Sequence, residues 1–427
     1  MAQAAFEFIR TTTTPSSSSS SSTSNITLPG TPAGSAPAGS GLDATGFTIG
    51  WDHARHRITP PLAHLNDHNP VGQGWAAGRT AFGERRLRSS AAVRQWLALR
   101  LQAWQTGAVF EDQQLNPAFL ARIDVPQCPV SRVPLLLATG GADDATVLRL
   151  NTAAAYAAGN LAVVSRQVAQ AWGHGDWQAA LAQADALAAD RAGGTNRGSS
   201  ASSAGGTNQP GLDAAAWQRL VVLTSFATPL PHAQAALLPL HVLPPNRVRV
   251  INPVQALQVM LTLQFSQGGY ARRLLGLSAL VPGADARQAF QIFMHTLLAR
   301  RLAVGSQPTP QQLRQAMEDT WADVLVQRRW QRLASRLGAA DCELLLQRAS
   351  QRGLVVGGGR WMSADAATEG WALAAPAAVP ARSAAAADQA RLAGTLPALA
   401  ARPGSARKRG SQNAASCAGL TDCSSRQ

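Results

Sequence analysis

A chain of 427 residues with 46% hydrophobic content is long enough for two or three domains with substantial cores. Its formal charge of +14 rests on arginine, since Lys408 is the one lysine among 38 basic side chains, and such a balance points to association with polyanions rather than to any fold. The four cysteines are scattered without Cys-x-x-Cys spacing, which argues against a disulfide framework or a closed zinc site.

The start has no apolar leader, and no run of about eighteen apolar residues follows, so no membrane partner and a cytoplasmic location are expected. Residues 1–50 hold a Thr/Ser tract (Thr11 to Ser24) and then Pro, Gly, Ala and Ser. Such a segment buries too little apolar surface to offset its ordering entropy, and disorder is predicted. Trp51 to Asn69 concentrates His53, His56, His64 and His68. Pro60, Pro61 and Pro70 interrupt the segment, no H-E-x-x-H is present, and exposed or capping histidines are expected rather than metal ligands.

From about Arg85 to Gln105 the pattern is an amphipathic helix capped by Ser89 or Ser90, with Val93, Trp96, Leu97, Leu101 and Trp104 on one stripe. Arg85, Arg86, Arg88, Arg94 and Arg100 mark its other side. A short helix at Pro117 to Ile123 delivers the chain to Cys128.

Cys128 to Ser165 is the one stretch whose residue order suggests a chemistry. A Cys-Pro knuckle leads to an apolar strand, a Gly140-Gly141 turn, a second strand, and a Y-x-x-G-N-L step at Tyr156 to Leu161 into a helix. This order resembles the ββα core of HNH-type (treble-clef) nucleases of phage and mobile elements, over about residues 128–172. Thr146 to Asn151 stands where that family has S-x-D-R-I-x, and Cys128, Arg149, Tyr156 and Asn160 occupy motif positions. The resemblance implies one divalent ion held against a scissile phosphate, with a side-chain base activating water.

The positions that would perform this chemistry carry other residues. Leu148 stands at the catalytic Asp, Ala169 at the helix Asn, Trp172 at the Lys and Ser131 at the second knuckle Cys. Leucine neither binds a metal nor moves a proton, so a catalytically degenerate module without metal or cofactor is expected. Asp143 and Asp144 are the residues that would have to substitute. The stretch also reads as a plain hairpin plus helix, in which Arg149 and Tyr156 pack, Asn160 caps a helix from Leu161, and Cys128 is a small buried apolar residue.

Helix is expected from Asn160 to Ala189, with a break at Gly173–Gly175, and then a flexible linker at 191–211. The region 212–357 carries fifteen basic against seven acidic residues. Asp213 caps its first helix, and a small hairpin is predicted at 238–251 around Pro244-Pro245-Asn246. Helices follow from Asn252-Pro253, from an Asp285 cap, from Thr309-Pro310, and over Asp341 to Ser350. Arg328, Arg329, Arg332 and Arg336 lie near the end of the third of these, interleaved with Trp330, and are the candidate nucleic-acid contacts. Gly357-Gly358-Gly359 lacks a following Lys-Ser/Thr and reads as a turn. Residues 358–427 read as a disordered Ala/Pro/Ser-rich tail with a basic run at Ala406 to Arg409.

The expected fold is thus mainly α: helical regions at 51–190 and 212–357 around a small ββα module, with disordered tails. The expected function is association with a DNA or RNA backbone by a protein that has lost nuclease chemistry. A helical protein-interaction scaffold and an active metal nuclease are the alternatives.

Overall fold

The computed structural model describes residues 39–173, 175–192, 211–305, 307–356 and 362–373. The expected linker (beyond its first and last residues), the Gly357–Gly359 turn, residues 1–38 and the basic run at 406–409 lie outside them. The described residues form fifteen α-helices and one two-stranded sheet, so the fold is mainly α. None of these helices is long and apolar enough to cross a membrane.

Helix α1 covers Gly39–Arg55, so residues 39–50, expected to be disordered, are helical. The reason is a partner invisible to local composition. Helix α2 (Pro70–Phe82) packs directly along α1, with glycines on both contact faces. A Cβ on Gly50 would lie 1.9 Å from the Val71 carbonyl oxygen, and one on Gly74 1.9 Å from that of Phe47. Backbones this close gain dispersion contacts that a Gly/Ala-rich helix cannot obtain alone. Asn69 caps α2 with Pro70 in its first turn, so that proline starts a helix.

Helix α3 (Ala91–Thr106) starts at Ser90, whose hydroxyl accepts the Val93 N–H. Its Arg100 is not on a solvated face. The guanidinium lies 4.6 Å over the Trp96 ring and pairs with Asp52 of α1 at 2.5 Å. Helix α4 (Pro117–Ile123) follows as expected.

Strand β1 (Ala145–Arg149) pairs antiparallel with β2 (Leu161–Ser165), Ala145 opposite Ser165 and Arg149 opposite Leu161. Helix α5 (Arg166–Trp172) follows directly, then α6 (Trp177–Ala192). The order is ββα, but the strands are not the expected ones. Val133 to Ala138 forms only isolated bridges, and Leu161 to Ser165, expected as helix, is a strand buried on both faces. Its Leu-Ala-Val-Val run is rich in β-branched residues, which favour a buried strand.

Beyond residue 211 come α7 (Ala214–Ser225), α8 (His232–Leu237), α9 (Pro253–Leu263), α10 (Tyr270–Ser278) and α11 (Ala284–Ala303). They are followed by α12 (Pro310–Asp319), α13 (Val324–Ala334), α14 (Ala339–Gln351) and α15 (Ala364–Ala367). Helix α11 begins one residue before Asp285, which sits in its first turn rather than at the cap. The long helix predicted from Thr309 is two, α12 and α13, separated by a 3-10 turn, and Asp323 caps the second.

The hairpin predicted near 238–251 does not form; the segment has no strand. Pro239, Pro244 and Pro245 supply no N–H, and several of the other donors find acceptors outside the segment. Leu243 N–H donates to Glu318, Arg249 N–H to the Gly159 carbonyl, and Ile251 N–H to that of Phe226.

One apolar core contains residues from both sides of 191–211, from Cys128 and Leu148 through Phe226 and Leu261 to Trp371. At its centre Phe293, Trp321 and Trp330 hold ring centroids 5.5 to 5.7 Å apart. Part of the region read as a disordered tail also joins it. Trp371 is fully buried, donating its indole N–H to the Ala158 carbonyl, while its own carbonyl accepts from Ala155.

Candidate functional site

The ββα unit brings the motif positions together, and their contacts are structural. Leu148, 6% exposed, faces the main core along with Leu150, Val164, Val168 and Trp172, and Ala169 packs against the same cluster. The three places that would carry Asp, Asn and Lys in the nuclease pattern are therefore part of a packed apolar interior. A carboxylate or a metal ion there would lose its hydration without a charged partner.

Asn160 does not cap a helix. It is fully buried in the β1–β2 connection, where Oδ1 accepts the Asn151 N–H at 2.8 Å. Its Nδ2 donates to the carbonyls of Asn151 (3.0 Å) and Ala155 (2.9 Å). This side chain thus replaces the backbone ladder where the connecting loop leaves the strands. Asn151 in turn donates to the Ala227 carbonyl, fastening the loop to the end of α7.

Gly159 follows the same logic. Its backbone is in the left-handed region, at φ 93°, and a Cβ would sit 2.4 Å from Cδ of Arg249. Arg249 lies across this glycine, and its guanidinium donates to the Ala367 carbonyl and to Gln114. The face of the loop is closed by Arg249 on one side and Trp371 on another.

Arg149 and Tyr156 form a pair within the hairpin. The guanidinium lies 4.5 Å over the ring and donates to the Ala154 carbonyl. Tyr156 also stacks on Phe110, and burial pushes its phenol above the usual range. Cys128 is 1% exposed, and its sulfur accepts N–H groups from Ser131 (3.4 Å) and Ser165 (3.3 Å). Among the described residues no group of three His, Cys, Asp or Glu side chains has the spacing to hold a metal ion.

Asp144 is committed elsewhere. It is buried, accepts from the Thr139 hydroxyl (2.6 Å) and from the N–H groups of Thr139 and Gly140, and pairs with Arg166 at 2.8 Å. Those hydrogen bonds, the Thr139 hydroxyl first, hold its carboxyl below the usual range. A carboxylate with depressed folded-state pKa contributes stability above its unfolded value, about 3.9, and loses it as pH falls through the folded value. The Tm gap between the native protein and Asp144→Asn is therefore expected to be constant above about pH 5 and to shrink below about pH 4. A gap that persists unchanged into acid would assign Asp144 no such role.

On α13 the buried face holds Val326, Trp330 and Leu333. Trp330 points inward, donating to the Ala236 carbonyl, so it is not a surface ring among the arginines. The outer face carries Arg328, Arg332 and, just past the helix end, Arg336, all exposed, with Arg329 half-buried. Among the described residues none of the four pairs with a carboxylate, whereas nearby Arg300 is taken by Asp323.

A buried charge cluster went unforeseen. Glu318 of α12 accepts from the Leu243 N–H (2.9 Å), Arg314 (3.1 Å) and Arg132 (3.3 Å), and Arg132 also reaches Asp319 at 2.6 Å. Arg132, in the left-handed region at φ 61°, extends from the Cys128 knuckle to α12. Burial, then the nearby Arg219 charge, pushes His241 down to about 4. No sequence signal marks this cluster, because Arg132 and Leu243 lie 71 to 187 residues from their partners on α12. No family model, curated protein or solved structure matches the chain.

Proposed function

We propose that this is a nucleic-acid-associated protein in which a ββα module of nuclease type has become a structural element, without metal chemistry, as in a relic of a mobile element. The observation that carries the reading is the outer face of α13. Arg328, Arg329, Arg332 and Arg336 recur there at helical spacing without acidic partners. Guanidinium groups of this kind form forked contacts to phosphate oxygens and bind a backbone without reading sequence. Apolar packing of Leu148 and Trp172 and the sequestering of Asp144 support the loss of catalysis.

Binding of a labelled random-sequence DNA duplex, followed by fluorescence anisotropy, tests this. Four phosphate contacts predict an affinity that falls about a hundredfold between about 50 and 200 mM salt. Replacing the four arginines by alanine is expected to flatten the slope by about 0.9 per lost contact. No binding at low salt would sink the reading, and magnesium- or manganese-dependent nicking abolished by Asp143→Ala/Asp144→Ala would show the site to be alive.

A protein-binding role has one observation in its favour. Leu302, Val324 and Leu325 are exposed (63%, 59% and 47%) at the corner where the Arg300–Asp323 pair joins α11 to α13. Anisotropy unresponsive to the four-arginine variant would shift preference to that reading.

A further inference from the structure

A second group of arginines without carboxylate partners lies near the start of the described chain. Helix α1 ends at Arg55, and Arg57 follows in the left-handed region at φ 57°. That bend lets the segment after α2 fold back. Leu87 N–H donates to the Arg55 carbonyl (2.8 Å), and the Arg57 guanidinium donates to the Glu84 carbonyl (3.1 Å). Arg55, Arg57, Arg85, Arg86 and Arg88 are thereby gathered at one end of the α1–α2 pair, and Arg94 continues the group onto α3. Among the described residues none of these six pairs with a carboxylate. Glu84 is the one acid in the fold-back segment itself. Like charges gathered on one surface repel one another, and a polyanion neutralises them.

Beside this turn lies a cleft of about 430 Å³ between α1, the 3-10 turn at Leu62–His64 and α3. Ile58, Pro61 and Leu101 give it apolar walls, and His53, Thr59, Arg94, Gln102 and Gln105 supply polar groups. Arg94 belongs to both features, and Ile58 directly follows Arg57. His53 is buried, and its Nδ1 lies 2.9 Å from the Ile49 carbonyl, which only accepts. Nδ1 therefore carries a proton, and burial lowers the pKa of the ring, which favours the neutral form. In that form Nε2 is an acceptor suited to an amino group. His64, another lining residue, is held between the side-chain amides of Asn69 and Gln105.

We propose that the arginine turn and this cleft form a second nucleic-acid site, which holds the phosphates of a single strand on the guanidinium groups and one unpaired base in the cleft. The inference rests on the reading of the chain as a nucleic-acid-associated protein and adds a preference for single strands that α13 does not supply. A base inside a duplex is paired and stacked and cannot enter a cleft, whereas one in a single strand can.

The test compares a labelled oligodeoxyadenylate with the random duplex, using the full chain. Arg85→Ala/Arg86→Ala/Arg88→Ala is expected to reduce the salt slope for the single strand by about 2, at about 0.7 per contact. Ala98 lines the cleft and is exposed, so Ala98→Phe fills the space without disturbing the core. It is expected to weaken single-strand binding about tenfold and to leave duplex binding unchanged. Arg94→Ala, also at an exposed position, provides a second variant and is expected to weaken the single strand. Native-like single-strand binding by both Ala98→Phe and Arg94→Ala, or an unchanged salt slope in the triple variant, would overturn the proposal. The α13 reading fails separately, through loss of the salt-dependent duplex binding or its indifference to the four-arginine variant.

Discussion

Glu318→Ala is expected to destabilise the fold by about 3 to 5 kcal/mol, measured by urea denaturation at neutral pH. The carboxylate is nearly fully buried and serves three donors from three parts of the chain: Arg132 in the knuckle, the Leu243 N–H in the proline-rich segment, and Arg314 one turn before it. Removing it leaves the buried Leu243 N–H without an acceptor and takes a carboxylate from Arg314, which keeps the Leu243 and Pro244 carbonyls, and from Arg132, which keeps Asp319. Unpaired buried charge costs more than the intact pair contributes. Glu318→Gln, which keeps an oxygen for Leu243, is expected to lose less. A loss under about 1 kcal/mol for the alanine variant would mean that water or Asp319 takes over its role.

Asn160→Ala is expected to cost about 2 to 5 kcal/mol, because one deletion leaves the buried Asn151 N–H and the Ala155 carbonyl without a partner and takes one of two donors from the Asn151 carbonyl, which keeps the Ala154 N–H. This variant separates two roles for a motif position. If Asn160 only holds the β1–β2 connection, the folded fraction of Asn160→Ala binds DNA as tightly as the native protein while its denaturation midpoint drops. A variant of native stability with weakened DNA binding would instead place Asn160 at a phosphate. The closed face of the loop, under Arg249 and Trp371, favours the first outcome.

Local signals were legible where the chemistry is local. Asp213, Thr309, Ser90 and the Asn116-Pro117 step start helices because a side-chain oxygen meets an N–H two or three residues on, within reach of any reader of the sequence. The ββα order was visible in outline, but its strands were assigned one segment too early. The apolar run Val133 to Ala138 looks as strand-like as Leu161 to Ser165, and only pairing with β1 distinguishes them. The arginines of 55–94 are spread over several elements in sequence, and only the fold-back of residues 83–88 onto the end of α1 brings them together.

What the sequence by itself determined is the mainly helical class, the helix starts marked by a capping side chain or Pro, and the absence of catalytic residue types at Leu148, Ala169 and Trp172. These follow from propensity, capping and side-chain chemistry, each a property of a few neighbouring residues. Only the tertiary structure decided that residues 39–50 are helical, since Gly50 and Gly74 matter once two backbones touch. It alone put Arg249 across Gly159, carried Arg132 to Glu318, and drew Trp371 into the core. Each of these contacts joins groups about a hundred or more residues apart, and the closing of such distances is driven by burial of the whole apolar core rather than by any local pattern.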